Sequence, residues 1–142
     1  MPIPFPSDAW IKALMQALNA SDAYRAAARD WEGDFYFVAA PDGGAASGSA
    51  ITLYMDLWHG ECRDAFEVLD PAARTPEFVI EAPLSFWRKV LNGRLDPIQA
   101  LVTRQLKLKG NLVKVMRAPR AAAELVRCCG QVETEWPEPV AA

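Results

Sequence analysis

Residues 91–112 read LNGRLDPIQALVTRQLKLKGNL, and this stretch decides the fold because it writes a helix end, a helix, a strand and a helix start in succession. Asn92-Gly93 is a helix C-terminal signal, since both residues tolerate the left-handed conformation that lets the last carbonyls be capped. Asp96-Pro97 restarts a helix, with Asp96 placed to accept N–H bonds as N-cap and Pro97 in the first turn, where its missing N–H costs nothing. Leu106-Lys107-Leu108-Lys109 alternates with period two, one side apolar and one cationic, as a half-buried edge strand does. Gly110-Asn111 closes the strand and caps the next helix.

Outward from this core, Glu77-Phe78-Val79-Ile80-Glu81 alternates as another strand, and Pro83 opens a helix over Leu84–Leu91. Downstream, Asn111–Arg117 and Arg120–Cys129 are predicted as two helical pieces, because Pro119 removes a backbone donor and its ring clashes with the preceding turn. Near the N-terminus Ser7 or Asp8 can cap a helix whose apolar stripe is Trp10, Ile11, Leu14, Met15 and Leu18. Ala23–Trp31 is predicted helical, stopped by Gly33 before the apolar strand Asp34–Ala40. Pro41–Ser49 is a Gly, Ala and Ser loop joining strands.

Ile51–Leu69 reads as a hairpin with His59-Gly60 in a two-residue turn. That register sets Leu57 opposite Cys62, Leu53 opposite Phe66 and Ile51 opposite Val68, with Asp56 across from Arg63 and Thr52 from Glu67 on the other face. Asp64 breaks the pattern by falling on the apolar face opposite Met55. Either a bulge resets the register there or the carboxylate lies near a polar cavity mouth, and the bulge is preferred. The succession of helices, antiparallel strands, then helices with one inserted strand is an α+β plan, one sheet with helices against one face.

The chain's 142 residues suit one domain, residues 1–130, followed by a loose acidic tail containing prolines, 131–142. No run approaches the roughly 20 apolar residues that span a bilayer, and the start Met-Pro-Ile-Pro-Phe-Pro lacks a signal-peptide pattern, so a cytoplasmic location is expected. Three cysteines, Cys62 and the adjacent Cys128-Cys129, with a single histidine, fit buried reduced thiols rather than a disulfide framework or zinc site. Net charge is −3, but residues 83–130 hold 10 basic and 2 acidic side chains, against 5 basic and 13 acidic in residues 1–82. A cationic segment inside an acidic protein suits an anionic lipid head group or membrane surface better than nucleic acid, whose strand the remaining surface would repel. Catalytic residues, metal ligands and cofactors are not expected. His59 belongs to an exposed turn, and no nucleophile elbow, zinc-protease, dinucleotide or phosphate-loop string is present.

The sequence resembles the sterol-carrier-protein family of lipid-binding domains. The pattern Gly-Lys-Leu-x-Pro-x-x-Ala, then Lys-Leu-x-x-x-Gly-Asp/Asn and a later Leu, is matched by Gly93-Arg94-Leu95-Asp96-Pro97, Ala100, Leu106-Lys107-Leu108, Gly110-Asn111 and Leu125. Trp10, Leu14, Ala23-Tyr24-Arg25, Ala28 and Trp31-Glu32-Gly33-Asp34 match an N-terminal pattern of bacterial and archaeal members. Many members carry Gly before the Lys-Leu strand, where this chain has Arg104-Gln105, a difference that bears on the turn.

The resemblance implies a mostly antiparallel five-stranded sheet covered on one face by helices, with a hydrophobic tunnel between them. It further implies non-catalytic binding and transfer of a fatty acid, fatty acyl-CoA, isoprenoid or sterol-like lipid. The helical stripes and inner strand faces then become pocket wall. Expected ligand contacts are Phe78, Ile80, Phe86, Trp87, Val90, Ile98, Leu101, Leu106, Leu108, Leu112, Met116 and Leu125. Lys107, Lys109, Lys114, Arg117 and Arg120 are expected to meet a head group or an anionic membrane. The alternative is an accessory or scaffold protein that presents a lipid-like intermediate to partner enzymes.

Overall fold

The computed structural model describes residues 2–41 and 50–136, so the expected loop Pro41–Ser49 lies, beyond its first residue, outside the described residues. In chain order the elements are β1 (Ile3–Pro4), α1 (Asp8–Asn19), α2 (Asp22–Ala27), β2 (Glu32–Ala40), β3 (Ile51–Trp58), β4 (Glu61–Val68), β5 (Phe78–Pro83), α3 (Leu84–Leu91), α4 (Pro97–Val102), β6 (Lys107–Lys109), α5 (Leu112–Met116), α6 (Pro119–Cys129) and β7 (Thr134–Glu135). The main sheet has the order β4-β3-β2-β5-β6. Three of its pairings are antiparallel and one, β2 with β5, is parallel. The parallel pairing follows from how the chain returns after β4. It crosses the face away from the helices, where the Tyr36 hydroxyl sits 3.0 Å from the carbonyl oxygens of both Pro71 and Arg74, and the Arg74 guanidinium lies 4.5 Å above the Tyr54 ring.

Ser7, not Asp8, caps α1, its side chain accepting from the Trp10 N–H at 3.1 Å. Trp10, Ile11, Leu14 and Leu18 are buried as one face, packed over β4, β3 and α6. The predicted helix to Trp31 instead ends at Ala27, and Gly33 lies inside β2 opposite Leu57. Trp31 is drawn out of the helix because its ring stacks on Phe35 at 5.7 Å and packs tilted against Phe78 at 5.5 Å, with its indole N–H donating to the Gly33 carbonyl. Glycine is needed there: a Cβ at position 33 would lie 3.0 Å from Phe78 Cε2 and 3.3 Å from Trp31 Cζ2.

The hairpin register corrects the predicted one beyond its first pairs. Leu57 does face Cys62, but the register shifts between Asp56 and Leu57, leaving Arg63 as the extra residue of a bulge. Every later pair therefore slides by one, so that Leu53 faces Glu67, Tyr54 faces Phe66, Thr52 faces Val68, and Met55 faces Ala65 rather than Asp64. The shift returns fully buried Ala65 to the helix side and leaves Asp64 exposed. Arg63 still binds the Asp56 carboxylate, at 3.0 and 3.1 Å.

The 91–112 stretch folds as read. Asp96 accepts from the N–H groups of Ile98 and Gln99, β6 is the sheet edge, and Asn111 caps α5 through the Lys114 N–H. Gly110 is required where it stands, since a Cβ would lie 2.7 Å from Phe78 Cδ1 and its φ is +132°. The expected loose tail is corrected for residues 131–136: β7 pairs in parallel with β1, and Trp136 packs on Phe5 at 4.8 Å.

Arg104 occupies the turn position noted above with φ +63°, the left-handed region that favours glycine. The turn geometry is thus kept by a residue that is strained in it, at a cost of about 1–2 kcal/mol. Arg104→Gly should raise stability by about 0.5–1 kcal/mol in urea unfolding, the relief of strain exceeding the added flexibility of the unfolded chain. A loss of stability would show that contacts of the arginine side chain outweigh the strain.

Candidate functional site

Along β2, Phe35 and Phe37 alternate with Tyr36, so the two phenylalanines face the helices. With Leu57 of β3 and Ile80 of β5 they floor a cavity of about 110 Å³. Trp87, Val90 and Leu91 of α3 form one side, and Pro97, Ile98 and Leu101 of α4 with Leu106 form another. Val115, Ala118 and the α6 residues Ala121, Ala122, Leu125 and Val126 form the roof, and Tyr24 and Trp31 complete the wall. A second space of about 40 Å³ lies between α1 and the sheet, and it shares Phe37, Trp87, Leu91 and Leu125 with the first. Four side chains therefore separate two apolar voids.

The chemistry of the wall is uniform. Among the described residues that line the larger cavity, only Tyr24, Trp31 and Trp87 carry a polar side-chain atom, and none carries a charge. Both indole N–H groups are already used: Trp31 donates to the Gly33 carbonyl at 3.1 Å and Trp87 to the Val38 carbonyl at 2.9 Å. The Trp87 bond fixes the ring as wall, edge-on to Phe37 with centroids 5.9 Å apart. Burial pushes the Tyr24 phenol well above its ordinary pKa, so it stays protonated. Burial likewise pushes the Cys62 thiol up to about 12 and raises those of Cys128 and Cys129, all three cysteines being buried. These thiols are protonated and shielded, the reverse of what a nucleophile needs. His59 sits in the β3–β4 turn against Glu32 at 2.6 Å, apart from the cavity lining.

Of the expected contacts, Ile80, Trp87, Val90, Ile98, Leu101, Leu106 and Leu125 are brought together around the cavity. Phe78, Phe86, Leu108, Leu112 and Met116 are not among its lining residues. Phe78 is fully buried beneath Gly110 and beside Trp31, a support for the floor rather than its surface. Phe86 is half-buried under the Lys89 ammonium, and Leu108 and Leu112 are half-buried against the core. Met116 is 43% exposed because α5 is a single short turn whose inward residue is Val115. The residues that sequence reasoning passed over are chiefly Phe35 and Phe37, Tyr24 and Trp31, and the small roof residues Ala118, Ala121 and Ala122. The alternation of Phe35 and Phe37 with Tyr36 was a usable signal for the first two. Alanine carries none.

The five expected basic contacts do not form one surface. Leu108 pairs with Ile80, whose side chain faces the cavity, so Lys107 and Lys109 project from the opposite face of the sheet. Lys114 is occupied: its ammonium lies 2.7 Å from Glu77 Oε2, 2.5 Å from the Glu32 carbonyl oxygen and 5.1 Å above the Trp31 ring. Arg117 and Arg120 alone remain exposed at the α5–α6 junction.

Comparison with known proteins agrees with this geometry. The model of the SCP-2 sterol transfer family matches residues 11–122, and the chain belongs to that family. A crystal structure of sterol carrier protein 2 shares 39% sequence identity, covers 89% of this chain and 97% of its own, and superposes with a TM-score of 0.77. A Thermus thermophilus protein, named as a candidate sterol carrier protein, is 40% identical over 89% of this chain and 88% of its own, with a TM-score of 0.75. The Aedes aegypti sterol carrier protein 2, in complex with the fatty acid palmitate, shares the fold at 16% identity and a TM-score of 0.53, covering 80% of this chain and 91% of its own. No curated protein matches the chain.

Proposed function

We propose that the chain binds a hydrophobic ligand between sheet and helices and carries it without changing it chemically. The observation that carries this reading is the cavity wall, apolar on every side, uncharged, and with both indole N–H groups already bonded. Such a wall gains about 0.8 kcal/mol for each methylene it removes from water and offers nothing to a reacting group. A fatty acid, fatty acyl-CoA, isoprenoid or sterol-like lipid meets that chemistry, and the palmitate complex of the Aedes relative supports the first.

Size adds a requirement. At about 110 Å³ the cavity is smaller than the roughly 150 Å³ that accepts a benzene ring in a packed core, so a long chain must widen it. Rotation of the shared side chains, Leu125 among them, joins it to the neighbouring void and gives a longer apolar path. Helix α6 is the element suited to move. It starts at Pro119 without a side-chain cap, and its α2-facing side leaves a groove of about 420 Å³ lined by alanines with Arg120 and Glu124. In that region Glu124 Oε2 is buried without a hydrogen-bond partner among the described residues, which weakens the closed packing.

Titration with a fluorescent long-chain fatty acid tests the reading, with saturable one-to-one binding expected. Energy transfer from tryptophan should fall strongly in Trp87→Phe and little in Trp58→Phe, since Trp58 lies on the surface. No saturable binding, or unchanged transfer in Trp87→Phe, would contradict it. Leu125→Ala should cost about 2 kcal/mol of stability and speed ligand release in stopped-flow more than it weakens equilibrium affinity. An unchanged release rate in the folded variant would place the gate elsewhere.

A further inference from the structure

Among the described residues, five large hydrophobic side chains are exposed, and three of them lie on α4 and α5. Val102 is 53% exposed, Val113 54% and Met116 43%. The two helices pack on each other, and each also packs or leads into α6. Their inner sides carry cavity residues, Ile98 and Leu101 on α4 and Val115 on α5, so the same two short helices have one apolar side inside and another facing water. Neither outer side is explained by the core.

The exposed charges that flank these helices in sequence are mostly basic, and the Glu77 carboxylate beside α5 is paired with Lys114. Arg94 precedes α4, Arg104 follows it, and Arg117 and Arg120 follow α5; all four are exposed. Between residues 94 and 120 the single acidic side chain is Asp96, and its carboxylate is engaged in capping α4. Exposed apolar side chains on short helices flanked by exposed arginines are complementary to a lipid bilayer with anionic head groups. The arginines meet phosphate, while valine and methionine enter the acyl boundary.

Resting on the lipid-carrier reading above, we propose that the α4–α5 corner is a docking face for anionic membrane, with Val102, Val113 and Met116 inserted and Arg104 and Arg117 on the head groups. Docking there applies the bilayer to the two helices that wall the cavity beside Pro119, so that lipid passes between bilayer and cavity at the α6 hinge. The basic edge strand is excluded from this face, because Lys107 and Lys109 project from the other side of the sheet.

The test is co-sedimentation of the full chain with phosphatidylcholine vesicles, with and without phosphatidylglycerol. Binding is expected with phosphatidylglycerol and should be lost near 1 M salt, where screening reaches about 3 Å. The double variant Val113→Asp, Met116→Asp, at two exposed positions, should keep the wild-type melting temperature and bind at least about tenfold more weakly. Lys107→Glu with Lys109→Glu should bind as the wild type does. Equal binding to neutral vesicles, or a pattern in which the lysine pair matters and the Val113–Met116 pair does not, overturns the proposal. Fatty-acid titration of the same variants without vesicles separates the two readings. If vesicle docking fails while the fatty acid still binds, only the docking face is wrong; if vesicles bind and no fatty acid does, the carrier reading is wrong.

Discussion

Two indole hydrogen bonds set the character of the interior. Trp31 and Trp87 each bring a polar N–H to the space between sheet and helices, and each spends it on a backbone carbonyl of β2, Gly33 and Val38. An unbonded indole N–H in that wall would call for water, and a hydrated cavity would lose the gain from burying an acyl chain. With both groups satisfied, the side chains described in the wall present carbon apart from the Tyr24 hydroxyl. The same bonds fix the rings in place, where Phe35 stacks on Trp31, Phe78 packs tilted against it, and Phe37 meets Trp87 edge-on.

Rigidity on the floor contrasts with the roof. The sheet is tied across its far face by Arg74 and the Tyr36 hydroxyl, whereas the helices opposite are short, and α5 and α6 are divided at Pro119. Small residues, Ala118, Ala121 and Ala122, face the aromatic floor, which is why space remains at all. A roof built of short helices and alanines yields more easily than a floor of hydrogen-bonded strands. Opening is therefore expected on the side of α6, next to the exposed corner formed by α4 and α5.

How much of this was legible in the sequence depended on whether a local signal existed. The Asn92-Gly93 stop, the Asp96 and Asn111 caps and the alternation at β6 are short-range chemistry, and each formed as read. The helix predicted to Trp31 failed because packing on Phe35 and Phe78 competes with local helical preference, and Phe78 lies far along the chain, on β5. The hairpin register was readable only as far as Cys62. The misfit of Asp64 announced the bulge, but not that every later pair would slide by one. At the site, α3 and α4 carried clear stripes, and Trp87, Val90, Ile98 and Leu101 from them line the cavity. On α5 the five-residue length left the phase open, and Val115 rather than Met116 turned inward. The basic residues were close in sequence and dispersed in space, because a strand sends alternate side chains to opposite faces.

The central claim is that an apolar ligand occupies the space between sheet and helices. Isotope-filtered nuclear Overhauser spectroscopy of the protein with a carbon-labelled long-chain fatty acid tests it most directly. Cross-peaks from the chain to the methyl groups of Ile98, Leu101 and Leu125 are expected. Cross-peaks confined to Val102, Val113 and Met116, or none to any methyl group, would contradict the account.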